Sequence, residues 1–319
     1  MGIKAYLDFE KPIADLEGKI AELRSLGSDE GGVRISDDIA RMEAKSEQAL
    51  RDIYSKLTPW QKTQVARHPY RPHFKDYIAQ LITDFMPLAG DRNFAEDHAI
   101  VGGVGRFRGA PVMIMGHEKG HDTASRLKHN FGMARPEGYR KAVRLMQMAD
   151  RFRLPVIALV DTAGAYPGIG AEERGQAEAI ARSTEMCLAL GTVNVAIIVG
   201  EGGSGGAVAL ATANRVLMLE HSIYTVASPE ASASILWRDS ARAADAATAM
   251  KVTAQDLKTF GVIDDIITEP LGGAHRDPAA TIMSTGNAIA DVLQEFEGKS
   301  REEVRKARQE KFLTIGSAL

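Results

Sequence analysis

Val195-Ala-Ile-Ile-Val-Gly-Glu-Gly-Gly-Ser-Gly-Gly-Ala-Val-Ala-Leu-Ala-Thr-Ala213 runs from an apolar stretch through a glycine cluster into an alanine-rich segment. A short, largely β-branched apolar run bounded by glycines reads as a strand buried on both faces, and the segment from Gly205 reads as a helix start. Gly200 to Gly205 is then the turn. Glycine suits such a turn because the backbone must take positive φ, or approach something closely with no Cβ between. The first N–H groups of a helix have no intrahelical acceptor, so this turn offers an anion or oxyanion site.

Three kinds of chemistry fit the string. Gly200-x-Gly202-x-x-Gly205 after a strand matches a dinucleotide fingerprint, with Glu220 about 20 residues on, where a ribose-binding acid belongs. Gly202-x-Ser204-x-Gly206 matches the nucleophile elbow of an α/β-hydrolase, and Asp264 and His275 follow in triad order. The third reading is an oxyanion hole built from the amides of Gly205 and Gly206, with no side-chain nucleophile. A tight turn without a ligand is the plainest alternative. A Walker A loop is excluded, because Ala207 stands where Lys is required.

Composition narrows the setting. With 319 residues, 45% hydrophobic and 25% charged, the chain has ample material for one large α/β domain or two small ones. A net charge of -3 predicts no bulk affinity for nucleic acid. The one cysteine, Cys187, lies in a helical apolar pattern and reads as a small core residue; alone it forms neither an internal disulfide nor a cysteine-based zinc site. No apolar run reaches the ~18 residues that span a bilayer, and no signal-peptide pattern is present. Met1-Gly2 is no myristoylation start, since Tyr6 replaces the needed Ser or Thr. The expected compartment is the cytoplasm.

Along the chain, Pro12 to Leu26 and Ser36 to about Leu57 carry apolar residues at helical spacing, with Ser36 read as an N-cap. They form a helical arm. Ala66 to Phe74, rich in Pro, His and Arg, reads as an ordered connector, and His68 and His73 are not at convincing metal spacing. Two strands follow from Ala99, with Arg108-Gly109 as a hairpin turn. Lys119 to Gly132 lacks apolar periodicity and reads as a surface loop. Between Val101 and Pro155 eleven Lys or Arg face only four acids, a local excess that reads equally as a solvated surface or as a face for a phosphate-bearing ligand. Pro136 to Phe152 is a helix and Leu154 to Val160 a buried strand. That strand ends in a second glycine-rich turn, Asp161-Thr-Ala-Gly-Ala-Tyr-Pro-Gly-Ile-Gly170, before another helix. Two successive strand, glycine turn, helix units place both turns at one edge of a parallel sheet, where ligands sit in such folds. Arg301 to Phe312 is a strongly charged tail helix.

Asp161-Thr-x-Gly-Ala-Tyr-Pro-Gly-x-Gly-Ala-Glu-Glu-Arg-Gly-Gln176, Gly200-Glu-Gly-Gly-Ser-Gly-Gly-Ala207, Ser228-Pro-Glu230 and Glu269-Pro-Leu-Gly-Gly-Ala-His-Arg276 together resemble the α subunit of bacterial acetyl-coenzyme A carboxylase carboxyltransferase. The likeness extends over nearly the whole chain. Ala163 departs from the family's usual proline, and Ala231-Ser232 from its usual Gly-Cys. The resemblance implies an α/β fold of the crotonase type, built from repeated strand-strand-helix units, in a domain spanning 66–295. A helical arm over 1–65 precedes it, and a charged C-terminal helix over 296–319 follows.

The same resemblance implies transfer of a carboxyl group from carboxybiotin, held on the biotin carboxyl carrier protein, to acetyl-CoA, giving malonyl-CoA for fatty acid synthesis. Gly205 and Gly206 would be the catalytic oxyanion pair. Gly164, Ala165, Tyr166, Pro167, Gly202 and Gly203 would line the substrate cleft. A β subunit would supply a second oxyanion pair, most simply in an α2β2 assembly that works with biotin carboxylase. No covalently bound cofactor and no metal are expected on this chain, with zinc only on the β subunit. Which pair faces biotin stays open at this point, with biotin preferred for this one.

Overall fold

The computed structural model describes residues 5–26 and 32–316. Among the described residues eight strands form one sheet: β1 (Ile82–Pro87), β2 (Ile100–Phe107), β3 (Ala110–His117), β4 (Val156–Thr162), β5 (Asn194–Gly203), β6 (Arg215–Leu219), β7 (Ile223–Thr225) and β8 (Asp265–Ile267). Their order is β1-β2-β3-β4-β5-β6-β8, with β7 paired to the far end of β5. The first three run antiparallel and the rest parallel. The β2–β3 hairpin turns at Arg108 and Gly109, both at positive φ (48° and 84°), as a two-residue turn matched to strand twist requires.

Alternation along the central strands explains why their sequences are apolar throughout. Ala196 and Ile198 of β5 join one core cluster with Val156, Ala158 and Met218, while Val195, Ile197 and Val199 join a second with Ile157 and Leu217. Successive side chains point to opposite faces, and here both faces are covered.

The arm is α1 (Lys11–Leu26) and α2 (Gly32–Tyr54). The latter begins at Gly32, so Ser36 lies inside the helix and is not its N-cap. Two shorter helices, α3 (Pro59–Ala66) and α4 (Phe74–Leu81), flank the irregular connector. Nothing in the sequence reading marked α4 and β1. In β1 only Ile82 is buried and Thr83 to Pro87 are largely exposed, an edge strand whose mixed polarity hides it. The segment read as a surface loop holds α5 (Thr123–Lys128), capped by the Asp122 side chain accepting from the Ser125 N–H at 2.7 Å.

On one face of the sheet lie α6 (Pro136–Phe152), α7 (Ile169–Glu173), α8 (Gln176–Ala189) and α9 (Ser204–Ala211). Cys187 is buried within α8, its thiol pushed up to about 12 by burial, as a core residue should be. Beyond the sheet come α10 (Pro229–Trp237), α11 (Ala243–Ala249) and α12 (Ala254–Thr259), then the long α13 (Pro278–Glu295) and the tail helix α14 (Arg301–Thr314). None of the described helices is long and apolar enough to cross a membrane.

Candidate active site

Because β4 and β5 are parallel neighbours, the residues that follow each emerge together at the carboxyl edge of the sheet. The glycine cluster divides differently from its sequence reading. Gly200 to Gly203 continue β5, where Gly202 and Gly203 pair with Tyr224 and Thr225 of β7, and only then does α9 begin at Ser204. Their lack of side chains serves close approach. A Cβ at Gly203 would sit 2.2 Å from the Ala163 carbonyl oxygen, and one at Gly200 would sit 2.4 Å from an Asp161 carboxylate oxygen. Gly202 is likewise covered by the Tyr224 ring. Gly202 and Gly203 are therefore buried behind the turn and not on its open side.

The turn itself is Ser204, at φ 51° and exposed, with Gly205 half-buried and Gly206 buried. Among the described residues no carbonyl or side chain accepts from the N–H of Gly205 or Gly206. Both belong to the first turn of α9, where the helix dipole adds to their pull on negative charge.

Against this turn lies the one after β4. Gly164 takes φ 148°, and its N–H donates to the Thr162 hydroxyl oxygen at 3.1 Å while that hydroxyl donates to the Gly164 carbonyl at 2.8 Å. The Gly164–Ala165 peptide packs so closely on Gly206 that a Cβ there would lie 2.8–2.9 Å from it. Tyr166 is fixed by its N–H donating to the Ala134 carbonyl (2.9 Å), by Gln176 donating to its own carbonyl (2.9 Å), and by Arg135 over its ring. Gly164 and Ala165 thus lie directly against Gly206, with Tyr166 and the exposed Pro167 next in the chain.

Two cavities open from this edge. One, of about 600 Å³, is largely apolar and is bounded by Ser204, Gly205, Val208, Tyr224, Met250 and Leu257. The other, of about 470 Å³, is charged and reaches from Ala163 to Arg67, Arg71, Lys119 and Glu201. In it the Lys119 ammonium lies 2.7 Å from Asp161 and 2.9 Å from Glu201, which also pairs with Arg67 at 2.6 Å. Burial alone would raise the Glu201 carboxyl, but Lys119 and Arg67 hold it down to about 2. Burial would likewise lower Lys119, and its two carboxylates reverse that and raise it. Asp161 also accepts the Glu201 N–H at 2.9 Å, so this network ties the end of β4 to that of β5. Lys119 was read as part of a surface loop; no local pattern reveals a lysine whose partners lie 42 and 82 positions on.

The rival readings come apart in space. Asp264 sits at the amino end of β8, accepting the Val216 N–H at 2.6 Å and pairing with Lys311 and Arg215. The registers of β5, β6 and β8 put it level with Ala196, about 25 Å along the sheet from Ser204 at 3.3 Å per residue. His275 stacks on His68 with ring centroids 3.7 Å apart, and burial followed by that neighbour pulls it down to about 3. No triad forms. Glu220, the candidate ribose ligand, instead accepts the Glu269 N–H at 3.1 Å, and the glycines of the fingerprint are mostly strand.

Solved structures share this fold. The transcarboxylase 12S core matches over 72% of this chain and 42% of its own at 19% identity, with a TM-score of 0.59. The β subunit of Pseudomonas aeruginosa geranyl-CoA carboxylase matches over 76% and 46% at 16% identity, with a TM-score of 0.55. The likeness bears out the crotonase-type fold that the resemblance implied. At sequence level the chain is 66% identical over 317 residues to the acetyl-coenzyme A carboxylase carboxyl transferase subunit alpha of Methylobacterium nodulans, covering 99% of this chain and all of that protein. The subunit of the same name from Nitrobacter winogradskyi is also 66% identical, over 99% of this chain and 98% of its own. Residues 6–316 match the family described as acetyl co-enzyme A carboxylase carboxyltransferase-like, and the chain belongs to that family.

Proposed function

We propose that the N-terminus of α9 is the oxyanion site of a carboxyl transfer from carboxybiotin to acetyl-CoA, with the amides of Gly205 and Gly206 as its donors. As a family member, the chain is the α subunit of a biotin-dependent acetyl-CoA carboxyltransferase. The observation that carries the site is the pair of unspent N–H groups at an exposed helix start, backed by the Gly164–Ala165 peptide.

Removing a proton from the thioester methyl makes an enolate, and releasing CO2 from carboxybiotin puts negative charge on the ureido oxygen. Each calls for preorganised donors aimed at one oxygen, and one such donor is worth ~3 kcal/mol. We assign the ureido oxygen to Gly205 and Gly206, since the apolar cavity beside them suits a compact bicyclic ring. The freed ring nitrogen is the base that takes the methyl proton, so no side-chain base is needed here. Gly164 to Pro167 line the cleft; Gly202 and Gly203 support it from behind.

A β subunit supplies the second oxyanion pair, in an α2β2 assembly that also carries the zinc. The carrier protein and biotin carboxylase deliver carboxybiotin, and the assembly works in the cytoplasm. The chain divides into an arm over 1–65, a catalytic domain over 66–295 and a tail over 296–319.

The test is malonyl-CoA decarboxylation with free biotin as acceptor, run on the chain alone and on its co-purified complex with β. Activity should require the complex, and Ser204→Ala should keep most of it. Full activity from the chain alone, or its abolition by Ser204→Ala, would overturn the reading.

A further inference from the structure

At the rim of the charged cavity, the fold brings together three side chains that the sequence keeps apart. His73 precedes α4, while Glu118 and His121 belong to the segment after β3. Their ligand atoms all lie within 4.8 Å of one another, and the two imidazole rings are 4.3 Å apart at a 42° tilt.

Two of the three are incompletely satisfied. His73 is only 5% exposed, and its Nδ1 is buried with no hydrogen-bond partner among the described residues. Glu118 is fully buried, yet among the described residues no Lys, Arg or His makes an ion pair with it; its oxygens accept the N–H groups of Lys75 (3.0 Å) and Gly120 (2.7 Å). A carboxylate has about four lone-pair positions, so two remain for a cation. A buried imidazole nitrogen and a buried carboxylate without a counter-charge are each costly, and one bound cation relieves both.

We propose that His73, Glu118 and His121 form a binding site for a divalent cation of the zinc class. Two imidazoles and one carboxylate suit Zn2+ or Co2+ and not the all-oxygen shells of Ca2+ or Mg2+. Tetrahedral coordination needs ligand atoms about 3.3 Å apart, given metal–ligand bonds of about 2 Å. His121 closes the difference, because its side chain is exposed and sits in a loop. Asp76 accepts the His73 backbone N–H at 2.7 Å, which fixes it at the start of α4, and lies 3.5 Å from His121 Nε2, the place of an outer carboxylate that orients that one imidazole and leaves its Nδ1 for the metal. Three protein ligands leave a fourth position for water or another small ligand. Lys119, a buried cation of that cavity, is paired with Asp161 and Glu201, and the Asp161 charge outweighs it at His73. The cation would pin the start of α4 to the segment after β3, using no cysteine.

The untagged full-length chain, stripped with a chelator, should be titrated with Co2+ and followed by visible absorption. The expected result is the intense band of a tetrahedral site, saturating at one equivalent per chain and displaced by Zn2+. His121→Ala, a change at an exposed position, should keep the native circular dichroism and weaken Co2+ binding by about tenfold or more. A chain that shows no saturable band, or a band that His121→Ala leaves unchanged, overturns the proposal.

Discussion

Gly205 and Gly206 are adjacent and of one type, yet their surroundings separate them. A Cβ on Gly206 would meet the Gly164–Ala165 backbone at 2.8–2.9 Å, and a backbone cannot swing aside as a side chain can. A Cβ on Gly205 would meet only the Ile180 side chain, at 3.4 Å, an ordinary contact. Gly206→Ala should therefore displace the donor pair and lower malonyl-CoA decarboxylation by the complex about a hundredfold, as loss of one oxyanion donor does. Gly205→Ala should retain most activity, and circular dichroism should show both variants folded. Equal activity of the two would refute this account. The glycine turns were legible in the sequence because positive φ and close approach leave glycines behind. The Lys119–Asp161–Glu201–Arg67 network was not, since each member is an ordinary charged residue until parallel strands align them.

Among the elements, β5 and α14 show how far periodicity reaches. The apolar run of β5 was evident, but its continuation through Gly203 depends on pairing with β7 and on the Ala163 carbonyl, neither of which is local. The tail helix was read correctly as charged and helical, but not as anchored. Arg308 is wholly buried, donating to the carbonyls of Leu190 (2.7 Å) and Thr192 (2.9 Å) and to the side-chain oxygens of Asn194 (2.8 Å) and Asn214 (2.6 Å). Burial pushes its guanidinium down to about 10, so it stays charged near neutrality. Arg308→Met would take this donor from the buried Leu190 and Thr192 carbonyls at the amino end of the sheet, while the two asparagine oxygens keep each other's backbone N–H, costing roughly 3 kcal/mol in a urea denaturation curve. A change under about 0.5 kcal/mol would mean the helix is not held this way.

At the scale of the molecule, six of the eight histidines share one electrostatic fate: burial lowers His68, His73, His117, His129, His221 and His275 from their ordinary value, His117 to about 4 and His275 to about 3. From about pH 6.5 down toward 4 the unfolded chain takes up protons that the folded chain refuses, so stability should fall as pH drops through that window. Glu201 and Glu269, held at about 2, lose their contribution only below about pH 4.5 and do not offset this. Urea midpoints at about pH 7.5 and about pH 5 should differ, lower in acid, and His275→Gln should narrow the gap. Identical midpoints would contradict it. Periodicity alone supplied two strand-turn-helix units; the family resemblance supplied the larger frame, because edge strands such as β1 and pairings such as β5–β7 have no local signature. The unspent peptide nitrogens at the head of α9 carry a pharmacological corollary. A drug that anchors on them grips main-chain N–H groups that every residue except proline supplies, so escape by deleting a side-chain anchor is closed. Resistant isolates should instead map to the surrounding pocket, at Val208, Tyr224 or Met250, where a changed shape can evict the compound.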